Sequence, residues 1–144
     1  MKKAILIFSL ALAAFSFCGC GGVITEIHNP MINPNGNFTL FISNQSYENK
    51  KIDIFVKIDG SPVLHEYFRV GNQHKWKEFK LQIPNGTHKL EAVSQKGNAT
   101  IDQPVEVNGK RWAVLDYCYG KEKGHQCPSP TLNLKVSDHS IGFM

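Results

Sequence analysis

The sequence predicts an all-β protein, a single antiparallel β-sandwich of about eight strands. Three observations lead there. Short apolar runs recur from residue 38 to residue 136, and several alternate with polar residues at a period of two. Turn-forming pairs separate those runs at roughly ten-residue spacing. Beyond the first 20 residues, no stretch carries the 3.6-residue period of an amphipathic helix.

The elements follow in order. Residues 38–43 form a first short apolar run. Ile52, Ile54, Val56 and Ile58 alternate with Asp53, Phe55, Lys57 and Asp59, the mark of a half-buried strand. Asp59-Gly60 is a hairpin-type turn into a strand over 63–70. Residues 76–83 alternate again, with Phe79, Leu81 and Ile83 inward. Asn85-Gly86 then leads into a strand over 88–94, and Lys96-Gly97-Asn98 into one over 99–107. After Asn108-Gly109 comes 110–119, where Trp112, Val114, Leu115 and Tyr117 make both faces bulky, as in a central strand covered on both sides. Residues 131–136 are the last clear strand, and 140–144 are expected as a short edge.

Ahead of the strands stands a leader. Met1-Lys2-Lys3 is basic, and residues 4–17 are apolar apart from Ser9 and Ser16. The run is short of the roughly 20 residues a spanning helix needs and has the form of a secretory signal. The context Phe17-Cys18-Gly19-Cys20-Gly21 resembles the processing site of a bacterial lipoprotein. The resemblance covers about the first 22 residues and implies cleavage after Gly19 with lipid on Cys20; cleavage near Cys18 is the alternative. It divides the chain into a signal peptide (1–19), a lipid anchor and tether (20–37) and a β-sandwich domain (38–144). Three acyl chains on the cysteine would hold the protein permanently at a membrane. Gly21 in place of Asp implies the outer membrane if the source is Gram-negative. The tether, rich in Gly, Asn and Pro, would place the domain on the order of 20–25 Å from the bilayer if flexible; an ordered arm packed on the domain is the other reading.

Composition narrows the partners. Of 16 basic residues, Lys2 and Lys3 leave with the leader, so 14 face 12 acidic ones. That balance does not support a nucleic-acid footprint. Outside the leader, Cys118 and Cys127 remain, and in an oxidising compartment such an isolated pair is expected as a disulfide worth roughly 2–3 kcal/mol. A metal site of Cys118, His125 and Cys127 is the alternative, but it lacks the spacing and fourth ligand of structural zinc.

The strand pattern is similar to immunoglobulin-like or transthyretin-like sandwiches. The hallmark immunoglobulin disulfide is absent, since Cys118 and Cys127 are too close in sequence to bridge two sheets. Residues 83–90, with Pro84, Gly86, His88 and Leu90, resemble the Pro-x-Gly-x-His-x-Leu hairpin of PEGA-type surface modules.

Catalytic patterns are sparse. The six histidines (His28, His65, His74, His88, His125 and His139) show no metal-type spacing, although His65 and His74 flank one turn. Glu66, Glu78, Glu91 and Glu106 read as outward strand residues, and Asp116, inside an apolar strand, calls for a partner such as Arg111. There is no G-x-S-x-G and no phosphate loop. No cofactor and no resident metal are expected. Aromatic residues out of phase with the core are the best functional pointers: Phe55, Tyr67 and Trp76 fall on the polar side of their strands and suit stacking on a sugar or a protein partner. The expected function is therefore that of a non-enzymatic envelope lipoprotein, a binding or scaffolding module for an envelope protein or cell-wall glycan. The competing readings are an inhibitor of a cell-wall-degrading enzyme that inserts its Cys118–Cys127 loop, and a small hydrolase or metal-dependent enzyme.

Overall fold

The computed structural model describes residues 29–71, 75–122 and 125–143. Eight strands follow one another: β1 (Phe38–Asn44), β2 (Lys51–Ile58), β3 (Ser61–Arg69), β4 (Lys77–Leu81), β5 (Gly86–Ser94), β6 (Ala99–Val107), β7 (Arg111–Glu122) and β8 (His125–Ser137). They form two four-stranded sheets, ordered β4-β1-β7-β8 and β3-β2-β5-β6. Every second residue of β2 is buried (Ile52, Ile54, Val56, Ile58), as are Phe38, Leu40 and Ile42 of β1 and Ala113, Leu115 and Tyr117 of β7. These faces meet in one core. Each large apolar side chain there contributes about 1.5–3 kcal/mol of burial, and that drive is what joins the sheets.

Immunoglobulin order would put the first two strands in one sheet. Here β1 and β2 lie in opposite sheets. One pairing departs from the antiparallel expectation: β1 runs parallel to β7, with Phe38 opposite Arg111 and Asn44 opposite Tyr117. Parallel neighbours need a long connection, and the five intervening strands supply it.

Asp59 and Gly60 have φ of 51° and 76°. Two successive positive φ values are what a two-residue hairpin requires, and β2 pairs with β3 as expected. Asn85-Gly86 differs from expectation. It closes no hairpin but carries the chain from β4 in one sheet to β5 in the other. Two features end β4. Pro84 has no N–H to continue a ladder. The Asn37 side chain takes both backbone groups of Ile83, donating Nδ2–H to its carbonyl (2.8 Å) and accepting its N–H at Oδ1 (2.9 Å).

His88 has a structural role here. His88 Nδ1 faces Asp59 Oδ2 at 2.7 Å, and Nε2 faces the Pro84 carbonyl at 2.8 Å. Both ring nitrogens meet acceptors, an arrangement only the imidazolium satisfies in full. The hydrogen bond to Asp59 raises the His88 pKa above its ordinary value of 6.5, and the same bond holds Asp59 below 3.8. His88 thus pins the β4–β5 crossing to the β2–β3 turn.

Several expectations are corrected. The last strand is longer than 131–136, because residues 125–130 continue the ladder with β7. Residues 140–143 form no edge strand. Instead Phe143 lies over the outside of sheet β4-β1-β7-β8, edge-on to Phe41. Strand β7 is central, as expected, but its outer residues Trp112, Val114 and Asp116 are only half-buried. Asp116 accepts a hydrogen bond from Asn133 Nδ2 (2.9 Å), directly across the ladder, and Arg111 donates instead to the Lys110 carbonyl.

Part of the stretch expected as a tether is packed. Ile32 bridges Leu81, Asn33 N–H donates to the Lys80 carbonyl, and Gln82 N–H donates to the Met31 carbonyl. Asn29 is buried and donates Nδ2–H to the Pro62 carbonyl. Residues 31–33 thereby cover the open edge of β4, which would otherwise offer unpaired backbone groups to other chains.

At the opposite end, Tyr117 ties the sheets together. Its hydroxyl donates to the Gly97 carbonyl in the β5–β6 turn (2.9 Å) and accepts from Asn49 Nδ2 (2.7 Å). Burial pushes its pKa up, keeping the donor proton in place. Nearby, the expected disulfide joins Cys118 to Cys127 across β7 and β8, with Cα atoms 5.8 Å apart.

Tyr117→Phe leaves the Gly97 carbonyl and the Asn49 amide without their partner, so it should cost about 1–3 kcal/mol. Gly97→Ala should cost a similar amount, about 1–3 kcal/mol by overpacking, because its Cβ would sit 2.6 Å from Tyr117 Cε2. Urea unfolding with an unchanged slope checks both. For His88, a raised pKa means stability fully present below pH 6.5 and lost as pH rises through the folded value. His88→Gln should therefore abolish that loss, narrowing its stability gap from the native protein as pH climbs above 6.5.

Candidate functional site

Sheet β3-β2-β5-β6 turns one face to the core and one outward. Alternation sends Lys51, Asp53, Phe55 and Lys57 of β2 to the outer face. A bulge in the β2–β3 ladder decides what they meet. Ile58 pairs with Ser61 and Lys57 with Pro62, but Val56 pairs with Leu64, so Val63 is the extra residue. Phe55 therefore stands opposite His65, and Asp53 opposite Tyr67. On its other side Phe55 faces Val93 of β5.

The result is a row of rings on the outer face, Phe55 half-buried and His65 and Tyr67 exposed. Phe55 and His65 meet edge-on with centroids 5.5 Å apart, and His65 and Tyr67 lie 6.4 Å apart. Tyr67 is 54% exposed, a large ring left out of the core. Ammonium groups flank the row: Lys51 Nζ and Lys96 Nζ lie 4.5 and 4.6 Å from the Tyr67 centroid, and Lys57 Nζ lies 5.3 Å from that of Phe55. Val93 continues the apolar strip into a shallow depression shared with Gln95, Asn98 and Thr100 at the β5–β6 turn.

Beneath the rings lies Asp53, only 5% exposed. Its Oδ1 accepts the Lys96 N–H (2.7 Å) and the Ser94 hydroxyl (3.4 Å), and its Oδ2 lies 3.7 Å from His65 Nε2. Burial alone would raise its pKa. Hydrogen bonds from the backbone amides of Lys96, Asp53 itself and Gln95, with the His65 ring, outweigh that and hold it below 3.8. Asp53 thus fixes the β5–β6 turn and aims Lys96 at Tyr67.

Asp53, His65 and Ser94 are the residue types of a hydrolase triad, but the order is wrong. The histidine must lie between acid and nucleophile. Here Asp53 is in the middle, and the Ser94 hydroxyl, on a residue 1% exposed, is occupied by Asp53 and by the Gly97 N–H. Among the described residues, no three His, Cys, Asp or Glu side chains gather as metal ligands.

The chain matches no protein-family model, no curated protein and no solved structure. The site must therefore be read from its geometry.

Of the aromatic residues expected to bind, the fold brings Phe55 and Tyr67 together and places Trp76 elsewhere. Trp76 is half-buried and stacks on Phe143 (4.6 Å, 18°), which in turn meets Phe41 on the outside of the other sheet. Cys20, Cys18, His28, His74 and the side chain of His125 lie outside the described residues, and with them the lipid site, the His65–His74 approach and the Cys118–His125–Cys127 metal set. His65, Asp53 and the three lysines were not expected in the site. Alternation along β2 sets Lys51, Asp53 and Lys57 there and Asp53 holds Lys96, but only the bulge brings His65 and Tyr67 over them; the one signal for it is the adjacent apolar pair Val63-Leu64, both buried, which breaks strict alternation.

Replacing Asp53 by Asn should destabilise the protein by roughly 1.5–3 kcal/mol at neutral pH, the range for hydrogen bonds to a charged group. Because the native carboxyl is depressed, its contribution is present above pH 3.8 and disappears as pH falls through the folded value. The two stability curves should converge in acid, as followed by chemical unfolding.

Proposed function

We propose that this chain is a lipid-anchored envelope protein whose sandwich is a non-enzymatic binding or scaffolding module, presenting the outer face of sheet β3-β2-β5-β6 to an envelope protein or cell-wall glycan. The anchor rests on the leader and on Cys20. With residues 29–36 held on the sandwich, only Gly21 to His28 would separate anchor from domain, a reach of at most about 29 Å. The single observation that carries the binding reading is Tyr67, standing in solvent beside Phe55 and His65 on a sheet whose inner face is fully occupied by the core. Large exposed rings on a rigid surface are the usual anchors of recognition.

A second reading keeps one supporting feature. The β7–β8 ladder runs on past Asn44, the last residue of β1, through Gly120–Cys127 and Glu122–His125, and is locked by the disulfide. Such a stiff hairpin suits insertion into an enzyme cleft, as an inhibitor of a cell-wall-degrading enzyme would require.

Two experiments test the proposal. Palmitate labelling should vanish in Cys20→Ala; label that persists there and vanishes in Cys18→Ala moves the anchor. In neutral detergent, the full-length protein should be retained on isolated envelope material, and Tyr67→Ala should weaken retention at least about tenfold without lowering the unfolding midpoint. Unchanged retention would falsify the role given to this face; loss confined to Cys118→Ala would favour the inhibitor reading.

A further inference from the structure

The charges around the rings are unevenly matched. On this sheet Lys89 holds Asp102; in the other sheet Lys77 and Lys80 of β4 likewise hold Glu66 and Glu78. Lys51, Lys57 and Lys96 hold rings instead and, among the described residues, take part in no ion pair. Exposed Arg69 stands opposite Lys51 on the same face. The carboxylates nearby are few. Asp53 is buried with its oxygens committed to the β5–β6 turn and His65. Glu91, opposite Lys57, lies 3.5 Å from Lys89 Nζ.

Lys51 and Lys96 set two like charges beside one ring, and an anion approaching that ring is attracted by both. An ammonium resting on an exposed ring is weakly held and moves readily to a carboxylate. The ring it leaves then offers an apolar face. A ligand that alternates apolar ring faces with carboxylates meets both requirements at once.

We propose that this face binds an acidic, uronate-containing polysaccharide: its sugar carboxylates meet Lys51, Lys57, Arg69 and Lys96, and its ring faces rest on Tyr67 and Phe55. The inference rests on the reading of this face as the binding surface. The fold favours a polymer over the anchoring bilayer. The arm joins the sandwich where Asn29 holds Pro62, at the start of β3. Tyr67 lies five residues further along that strand, about 17 Å away at 3.4 Å per residue. Lys51 and Arg69 pair at the same far end.

The full-length protein in neutral detergent is titrated with oligogalacturonate and with its uncharged methyl ester. The acid should bind, more weakly as salt rises, and the ester at least tenfold less tightly. The double variant Lys51→Gln/Lys96→Gln should lose at least tenfold toward the acid and little toward the ester; Tyr67→Ala should weaken both. Equal binding of acid and ester overturns the acidic class while leaving the binding face intact. Binding to vesicles of anionic phospholipid but to neither oligosaccharide overturns the polymer in favour of a membrane. If neither sugar binds yet Tyr67→Ala still lowers retention on envelope material, the ligand is not a polysaccharide and only the present inference fails. If Tyr67→Ala changes nothing in either assay, the underlying reading of the face fails with it.

Discussion

The structure depends on how the β5–β6 turn is fastened. Tyr117 rises from the central strand of one sheet, and its hydroxyl donates to the Gly97 carbonyl in the other. Asn49 holds the same oxygen from the β1–β2 connection. Asp53 grips the turn from its other side through the Lys96 amide, and Ser94 accepts the Gly97 N–H. A buried polar network of this kind stabilises only when every member is satisfied, and none of these groups lacks a partner. Because the turn is held from both sides, Lys96 has a fixed origin over Tyr67. The same residues that lock the core therefore set the geometry of the exposed face.

The two ends of the sandwich divide the work. At one end Asn29, Asn37, Asp59 and His88 tie the arm, the β4–β5 crossing and the β2–β3 turn together. A chain fixed to a membrane through its N-terminal arm would transmit force and orientation through these contacts. Toward the other end stand Tyr67, with Lys51 and Lys96, and the disulfide-linked strands, while Lys57 lies opposite Pro62 near the arm.

Much of the fold was legible in the sequence because period-two alternation is set by backbone geometry. Ile52, Ile54, Val56 and Ile58 announce β2 without help from the rest of the chain, and Asp59-Gly60 announces its hairpin. The Cys118–Cys127 bridge follows from an isolated cysteine pair. What was not legible depends on partners distant in sequence. Asn85-Gly86 looks like any hairpin turn; that it crosses between sheets is decided by Asn37, 46 residues from Ile83. The parallel β1–β7 pair leaves no local signature. The site shows the same limit. Phase alone sets Phe55 and Tyr67 on the polar side of their strands, but counting back from the Asp59-Gly60 turn without a bulge would set Phe55 opposite Leu64. Val63 shifts the ladder by one, which brings His65 beside Phe55 and Tyr67 over Asp53. Trp76 lies apart from these two rings, stacked on Phe143, which arrives from the far end of the chain.

Amide hydrogen exchange at Lys96 and Gly97 tests this arrangement most directly. Amides at the tip of an ordinary hairpin exchange quickly by local fraying. If the turn is locked to Tyr117 and Asp53, these two N–H groups should exchange as slowly as those of Leu115 and Ile54 in the strand centres, with the same dependence on denaturant. Fast exchange at Lys96 and Gly97 while the strand centres stay protected would contradict the lock, and with it the fixed placement of Lys96 over the exposed ring.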